Sequence, residues 1–229
     1  MAYVRSLLNR SSDDILSIFE EALEYAGGTF AERLKAFRYE WQSGGYYAYG
    51  YCGIDVTPDP STSDYVAAYY AGENAWGRLH ARSNTTASAV DIGSTSSDDT
   101  LNIVATHSGI SVYKSTGATS VATFVIALDN HGQLVTVAAG GTLASPYVLP
   151  VNDASLTNIQ YPASKSALFG CTSLSYIPVP TFDGQPHYLP ELAYANATQY
   201  IMNGPVLMGS KIWYCIGGAI YLYEGENDA

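Results

Sequence analysis

Lys211-Ile-Trp-Tyr-Cys-Ile-Gly-Gly-Ala-Ile-Tyr-Leu-Tyr-Glu224 is the stretch on which the fold reading turns. Two β-rich runs flank Gly217-Gly218, and a Gly-Gly pair tolerates the positive φ that a two-residue primed turn demands. Counting outward from that turn predicts that Ile216 faces Ala219, Cys215 faces Ile220, Tyr214 faces Tyr221, Trp213 faces Leu222, Ile212 faces Tyr223 and Lys211 faces Glu224. These pairs are aromatic–aromatic, aromatic–aliphatic and opposite-charge, kinds that contribute roughly 0.2–1 kcal/mol each. Both faces of the predicted hairpin are apolar, so it is expected at the centre of a sheet or under a partner.

The rest of the composition points the same way. The chain has 229 residues, enough for one large β domain or two small ones. Its formal charge of −11 argues against a protein that tracks nucleic-acid phosphates. Seven of the ten Lys and Arg lie at or before Arg82; from Ser83 onward there are 3 basic and 10 acidic residues in 147. An ordinary solvated surface carries more charge than that, so this half is expected to be covered by Ser, Thr, Asn, Gln and Tyr, or by another chain. Tyr outnumbers Phe by 20 to 6. That suits half-buried sheet faces and interfaces, because the ring packs while the hydroxyl stays wet.

Cys52, Cys171 and Cys215 are odd in number and far apart, which suits a reduced compartment rather than a disulfide scaffold or structural zinc. No continuous apolar h-region follows Arg5 and Arg10, so secretion by a signal peptide is not expected. No apolar run approaches the roughly 18 residues of a membrane span. Neither a membrane nor a nucleic-acid partner is expected.

Along the chain, Ser11 and Ser12 open a predicted helix with Asp13 and Asp14 in its first turn, where the helix dipole favours acids. Ile15, Leu16, Phe19, Ala22, Leu23 and Ala26 form its apolar stripe, and Gly27-Gly28 ends it. Thr29-Phe-Ala-Glu32 reads as a capping box for a second helix striped by Phe30, Leu34, Phe37 and Trp41 and closed by Ser43-Gly44-Gly45. The pattern then changes period. Strands are expected at residues 46–52, 64–71, 101–106, 110–114, 121–128, 133–138 and 147–151. Asp129-Asn-His-Gly132 should turn one pair of them. Residues 83–100 are polar and Ser/Thr-rich, a loop or linker in which only 89–92 resembles a strand. Between residues 152 and 207, Pro162, Pro178, Pro180, Pro186, Pro190 and Pro205 leave room for strands only at 168–177 and 199–202. The expected fold class is α+β: an N-terminal αα-hairpin over residues 1–45, then a mainly antiparallel β sandwich or barrel-like domain over 46–229.

Chemical motifs are weak. Gly204-Pro-Val-Leu-Met-Gly-Ser-Lys211 nearly spells a phosphate loop, but Ser210 and Lys211 are transposed and a strand follows where the motif needs a helix. Asp129-Asn-His131, and Asp183 with His187, have residue types that bind metals. Both pairs sit in turn sequences where Asp and Asn bond the local backbone instead. There is no Gly-x-Ser-x-Gly elbow, and Asp55, Asp64, Glu73 and Glu191 are scattered carboxylates without a pairing signal. The reading is a non-enzyme with no cofactor and no metal. Tyr46, Tyr47, Tyr49, Tyr51 and Trp76 would serve as a sugar platform if their rings were exposed.

A helical hairpin at one end, a long charge-poor Ser/Thr/Tyr-rich β portion, no leader and odd unpaired cysteines together resemble a tailed-bacteriophage virion protein. The closing segment Gly209-Ser-Lys-Ile-Trp-Tyr-Cys-Ile-Gly-Gly-Ala-Ile-Tyr-Leu-Tyr is similar to strands that end some phage tail and neck components. The resemblance implies repeated copies in the tail, neck or fibre-attachment region, made in the host cytoplasm and held in the virion by themselves and other virion proteins. The contact residues it implies are Trp213, Tyr214, Tyr221 and Tyr223 of the hairpin, Tyr46 and Tyr47, and Phe30, Phe37 and Trp41 of the helical pair. The alternatives are a capsid-decoration or carbohydrate- and receptor-binding module, and a hydrolase.

Overall fold

The computed structural model describes residues 3–7, 12–42, 48–56, 67–72, 77–82, 89–95, 100–116, 119–139, 147–150, 157–158, 171–179, 184–197, 204–208, 211–216 and 220–226. In chain order the elements are β1 (Tyr3–Leu7), α1 (Ser12–Ala26), α2 (Gly28–Glu32), β2 (Leu34–Gln42), β3 (Ala48–Val56), β4 (Ala67–Gly72), β5 (Gly77–Arg82) and β6 (Ala89–Thr95). Then follow β7 (Thr100–Ala105), β8 (Gly109–Thr116), β9 (Thr119–Leu128), β10 (Leu134–Ala139), β11 (Tyr147–Pro150) and β12 (Thr157–Asn158). The last five are β13 (Cys171–Val179), β14 (His187–Ala197), β15 (Gly204–Met208), β16 (Lys211–Ile216) and β17 (Ile220–Glu226).

The strands form three open antiparallel sheets. A seven-stranded sheet runs β1-β7-β8-β9-β10-β11-β12, an N-terminal five-stranded sheet β2-β3-β4-β5-β6, and a C-terminal five-stranded sheet β13-β14-β17-β16-β15.

Helix α1 forms where the capping signals put it. Gly27, at φ 60°, supplies the left-handed residue that lets the chain leave the helix, and its N–H donates to Leu23 O at 3.0 Å. The last turn of α1 has no basic residue of its own. His107, from the β7–β8 turn, meets the helix end instead: its Nδ1–H donates to Ala26 O at 3.1 Å, and its ring stacks on Tyr25 at 5.6 Å.

The apolar stripe of α1 (Ile15, Ile18, Phe19, Ala22, Ala26) packs on one face of the seven-stranded sheet. On that face Ile103, Val112 and Phe124 make one cross-strand row, and Ala105, Ile110 and Ile126 the next. Each fully buried large side chain here is worth about 1.5–3 kcal/mol. Phe30, Leu34, Cys52 and Ile54 join the same core, so helix, seven-stranded sheet and N-terminal sheet share it. The opposite face of the seven-stranded sheet is also buried, through Val104, Val125 and Val137, and β5 and β6 approach β9 and β10.

The expected helical pair is corrected. The second helix is a single turn, α2, and residues 34–42 form β2 instead. The spacing of Phe30, Leu34, Phe37 and Trp41 fits a helix, but 37, 39 and 41 are also alternate aromatics, a strand signal. Pairing decides: β2 runs against β3 along its whole length, with Tyr39 opposite Tyr51 and Trp41 opposite Tyr49. The N-terminal region is therefore one helix, a helical turn and a strand, not an αα-hairpin. Residues 89–95 form β6, paired with β5, which extends the strand expected at 89–92.

The closing hairpin forms, one residue out of the expected register. Ile216 faces Ile220, Cys215 faces Tyr221, Tyr214 faces Leu222 and Trp213 faces Tyr223. The connection thus spans three residues rather than two. A bulge between Ile212 and Trp213 then sets Lys211 against Glu226.

The Pro-rich region holds more strand than expected. β14 tolerates Pro190 because its pairing with β13 is irregular between Tyr188 and Ala193, and β15 tolerates Pro205 as the edge of its sheet. The expected strand at 199–202 lies outside the described residues.

Cys52 is a free, fully buried thiol. Burial pushes its pKa up to about 12, partly opposed by the Arg38 charge across the strand pair. The protonated thiol is the form the fold prefers, so its contribution is complete below about 9 and is lost as pH rises toward about 12. At pH about 8 the thiolate is the reactive form, so the peptide containing Cys52 is expected to stay unalkylated by iodoacetamide in native protein and to label fully in urea. Peptide mass spectrometry checks this; labelling at equal rates in both conditions contradicts it.

Candidate functional site

The densest polar arrangement among the described residues lies at one end of the seven-stranded sheet, in the turn from β9 to β10. Asp129 opens that turn. Its N–H donates to Gln133 O at 2.8 Å, its carbonyl accepts the Gly132 N–H at 3.0 Å, and Gly132 takes the left-handed φ of 78° that closes the loop. One carboxylate oxygen, Oδ1, accepts the backbone N–H groups of His131 at 2.9 Å and Gln133 at 2.7 Å. This is the local backbone bonding expected of Asp in a turn.

Asp129 is only 4% exposed, so its second oxygen also needs a donor. His187, the first residue of β14, supplies it: Nδ1 lies 2.6 Å from Asp129 Oδ2 in a buried contact. Because Oδ1 already accepts two N–H groups, Nδ1–H is the donor, which fixes the orientation of the imidazole ring. The His131 ring lies against His187, with centroids 4.2 Å apart and planes 32° from parallel.

Around this pair the turn is joined to β14 as though it were a further strand. Asn130 N–H donates to Tyr188 O at 2.9 Å, and Tyr188 N–H donates to Asn130 Oδ1 at 2.8 Å. Asn130 Nδ2 also donates to Pro186 O at 3.1 Å. A second carboxylate works in the opposite direction. Glu191 of β14 accepts from Thr106 Oγ1 at 2.6 Å and from Ser108 N–H at 3.2 Å in the β7–β8 turn. On the far side Arg33, after α2, donates through Nη1 to Gly132 O at 2.7 Å. Each sheet therefore supplies one carboxylate to the other.

The metal reading of these residues takes a different form here. His187 meets Asp129; Asp183 lies outside the described residues. No group of three or more His, Cys, Asp and Glu side chains arranged to hold a metal occurs among the described residues. The near-phosphate-loop stretch is β15 running antiparallel to β16, with Met208 opposite Lys211. The Asp129–His187 link spans 58 residues, and no local pattern in the sequence announces it.

Of the expected contact residues, Phe30, Phe37 and Trp213 have described side chains. Phe30 and Trp213 are each 1% exposed, Phe30 in the core beneath α1 and Trp213 with the Tyr176 ring 6.2 Å away, so neither presents its own surface to a partner. Phe37 is half-buried on β2. Tyr214, Tyr221, Tyr223 and Trp41 lie on paired strands, and of the hairpin residues Trp213 and Tyr223 are register partners. Tyr46 and Tyr47 lie outside the described residues. The residue that sequence reasoning missed is Tyr176 of β13. It is 40% exposed, with its ring 5.2 Å from Tyr188 and 6.2 Å from Trp213.

No protein-family model matches the chain, and no curated protein or solved structure matches it either.

Removing the Asp129 carboxylate strands two backbone donors and the His187 ring in a buried site. Asp129→Ala is therefore expected to cost about 3–5 kcal/mol, in the range for breaking a buried pair. Urea unfolding monitored by circular dichroism measures this, and a loss below about 0.5 kcal/mol, the range of neutral surface changes, contradicts it.

Proposed function

We propose that the chain is a structural protein of a phage virion, present in multiple copies in the tail, neck or fibre-attachment region, and not an enzyme. The observation that carries this reading is the aromatic side of the C-terminal sheet. On β13, Ile177 and Val179 are buried while Tyr176 and Pro178 between and beside them are exposed. Tyr176 stands over Tyr188 and Trp213, and a tyrosine step of this kind suits a protein interface because it buries ring area while keeping its hydroxyl in water.

Two further features support the reading. The half of the chain after Ser83 carries 13 charged residues in 147, too few for an ordinary solvated surface. Each of the three sheets is open and ends in edge strands, which natural proteins cover or pair. In the proposed arrangement the seven-stranded and N-terminal sheets, which share a core with α1, form a sandwich. The C-terminal sheet, held to them by its inner side, turns its tyrosines toward a neighbouring copy. The partners are other copies of the chain and other virion proteins, and the location is the virion after synthesis in the host cytoplasm. The exposed Tyr176 ring is also the observation that favours a second reading, a carbohydrate-binding module, since a flat exposed ring can stack on a sugar.

Analytical ultracentrifugation is expected to show a defined oligomer, and Tyr176→Ala combined with Tyr188→Ala to weaken association by about tenfold or more, equivalent to about 1.4 kcal/mol. A wild-type monomer at every concentration contradicts the assembly reading. Retention on a glycan array that falls in the same variant, with oligomeric mass unchanged, selects the second reading instead.

A further inference from the structure

The N-terminal sheet sorts its residue types by face. In an antiparallel sheet, register partners share a face and successive residues of one strand alternate between faces. Leu34 is 6% exposed, and Cys52 and Ile54 are fully buried in the core shared with α1, so the face that holds these positions points inward. Every Leu, Ile and Val with a register partner in this sheet belongs to it: Leu34, Ile54, Val56, Leu79 and Val90. On the other face Lys35 is exposed and Phe37 and Asp55 are half-buried, so that face looks outward.

The outward face is made of aromatic positions. Tyr39, Tyr51, Tyr70 and Arg78 are register partners in succession across β2, β3, β4 and β5. At a strand spacing of about 4.8 Å this row spans roughly 14 Å. Trp41, Tyr49 and Gly72 form the row on one side of it, and Phe37, Gly53, Ala68, His80 and Asp91 the row on the other. Tyr49 and Tyr51, two residues of the sugar platform expected from sequence, are thereby joined to Trp41, Tyr39 and Tyr70; Tyr46, Tyr47 and Trp76 lie outside the described residues. Charge on this face is placed unevenly. Lys35 is opposite Asp55 and His80 opposite Asp91, whereas Arg78 stands between two uncharged register partners, Tyr70 and Ser94.

We propose that this face binds a carboxylate-bearing saccharide chain, its sugar rings lying along the Tyr39–Tyr51–Tyr70 row and a sugar carboxylate meeting the Arg78 guanidinium. A tyrosine offers both things a sugar needs, a flat apolar plane for its C–H face and a hydroxyl for its own hydroxyls. Aliphatic side chains larger than alanine, which pack well against a protein but offer no plane, have no register position on this face. Gly53 and Gly72 add no bulk beside the aromatic rows. The guanidinium matches a carboxylate with two parallel hydrogen bonds. A nucleic acid fits less well, because it carries a charge on every unit and the chain's own charge is −11. The site lies on a different sheet from Tyr176 and does not depend on assembly.

An array of uronate-bearing, sialate-bearing and neutral oligosaccharides, probed with the full chain at low salt, tests this. Wild-type protein is expected to retain the carboxylated members in preference to the neutral ones. Arg78→Gln is expected to weaken that retention by about tenfold or more and to erase the preference. Tyr51→Ala should lower retention of both classes by about tenfold, while Tyr51→Phe, which keeps the ring, stays within about threefold of wild type. Circular dichroism checks that each variant keeps its strands, and if Tyr51→Ala unfolds, Arg78→Gln decides alone. The proposal is overturned if no saccharide is retained, if neutral and carboxylated members are retained equally, or if Arg78→Gln behaves as wild type. Retention lost only in the Tyr176→Ala, Tyr188→Ala variant, or a single-stranded oligonucleotide bound more tightly than any saccharide, overturns it too.

Discussion

A carboxylate placed where water does not reach must be met by donors, and the position of Asp129 makes the rest of this arrangement necessary. Two of its donors are local, since a turn that begins with Asp brings the N–H groups of His131 and Gln133 to one oxygen. The third is not. It arrives from the start of β14, and with it come the side-chain bonds of Asn130 to Pro186 and Tyr188 and its backbone bond to Tyr188. The register of β14 at its first residues is thus set by its contact with the neighbouring sheet as well as by its pairing with β13. Thr106 and Ser108 bonding to Glu191 repeat the device one turn away.

How much of this was legible in the sequence depends on whether the deciding contact is local. Helix α1 was, because its stripe and the Gly27-Gly28 exit lie within one short segment. Strands β7 to β10 were too, because each apolar run is bounded by its own turn. The segment after α2 was not, since Phe30, Leu34, Phe37 and Trp41 satisfy a helical period while Phe37, Tyr39 and Trp41 satisfy a strand period. Only the presence of β3, which accepts β2 along its full length, separates the two.

In the closing hairpin the fold was right and the register was not. One extra residue in the connection exchanges the partner of every residue, and a bulge shifts the far end by one residue more. Pro190 and Pro205 hid two strands, because a strand that contains proline depends on an irregularity or an edge that only the assembled sheet shows. At the candidate site the same division holds. The turn role of Asp129 follows from its immediate neighbours, whereas His187 as its partner requires the C-terminal sheet to be in place.

The two sides of the C-terminal sheet therefore have different tasks. Its inner side is committed to the rest of the chain through His187, Glu191 and the buried Leu189 and Leu192. Tyr176, Pro178 and Tyr188 lie on the other side, where aromatic area remains in contact with solvent. If the chain assembles as proposed, the strength of the inner contact decides how rigidly the outer one is presented, which links the buried carboxylate to assembly through the orientation of a single sheet.

A double-mutant cycle between Asp129→Ala and His187→Ala, read from urea unfolding of the wild type, the two single variants and the double variant, isolates the interaction on which this account depends. A buried, mutually oriented pair predicts a coupling energy of about 1–3 kcal/mol, with the double variant little worse than the more damaging single one. Additivity to within about 0.5 kcal/mol, as for sites that do not touch, would show that the two sheets are held together by something other than Asp129.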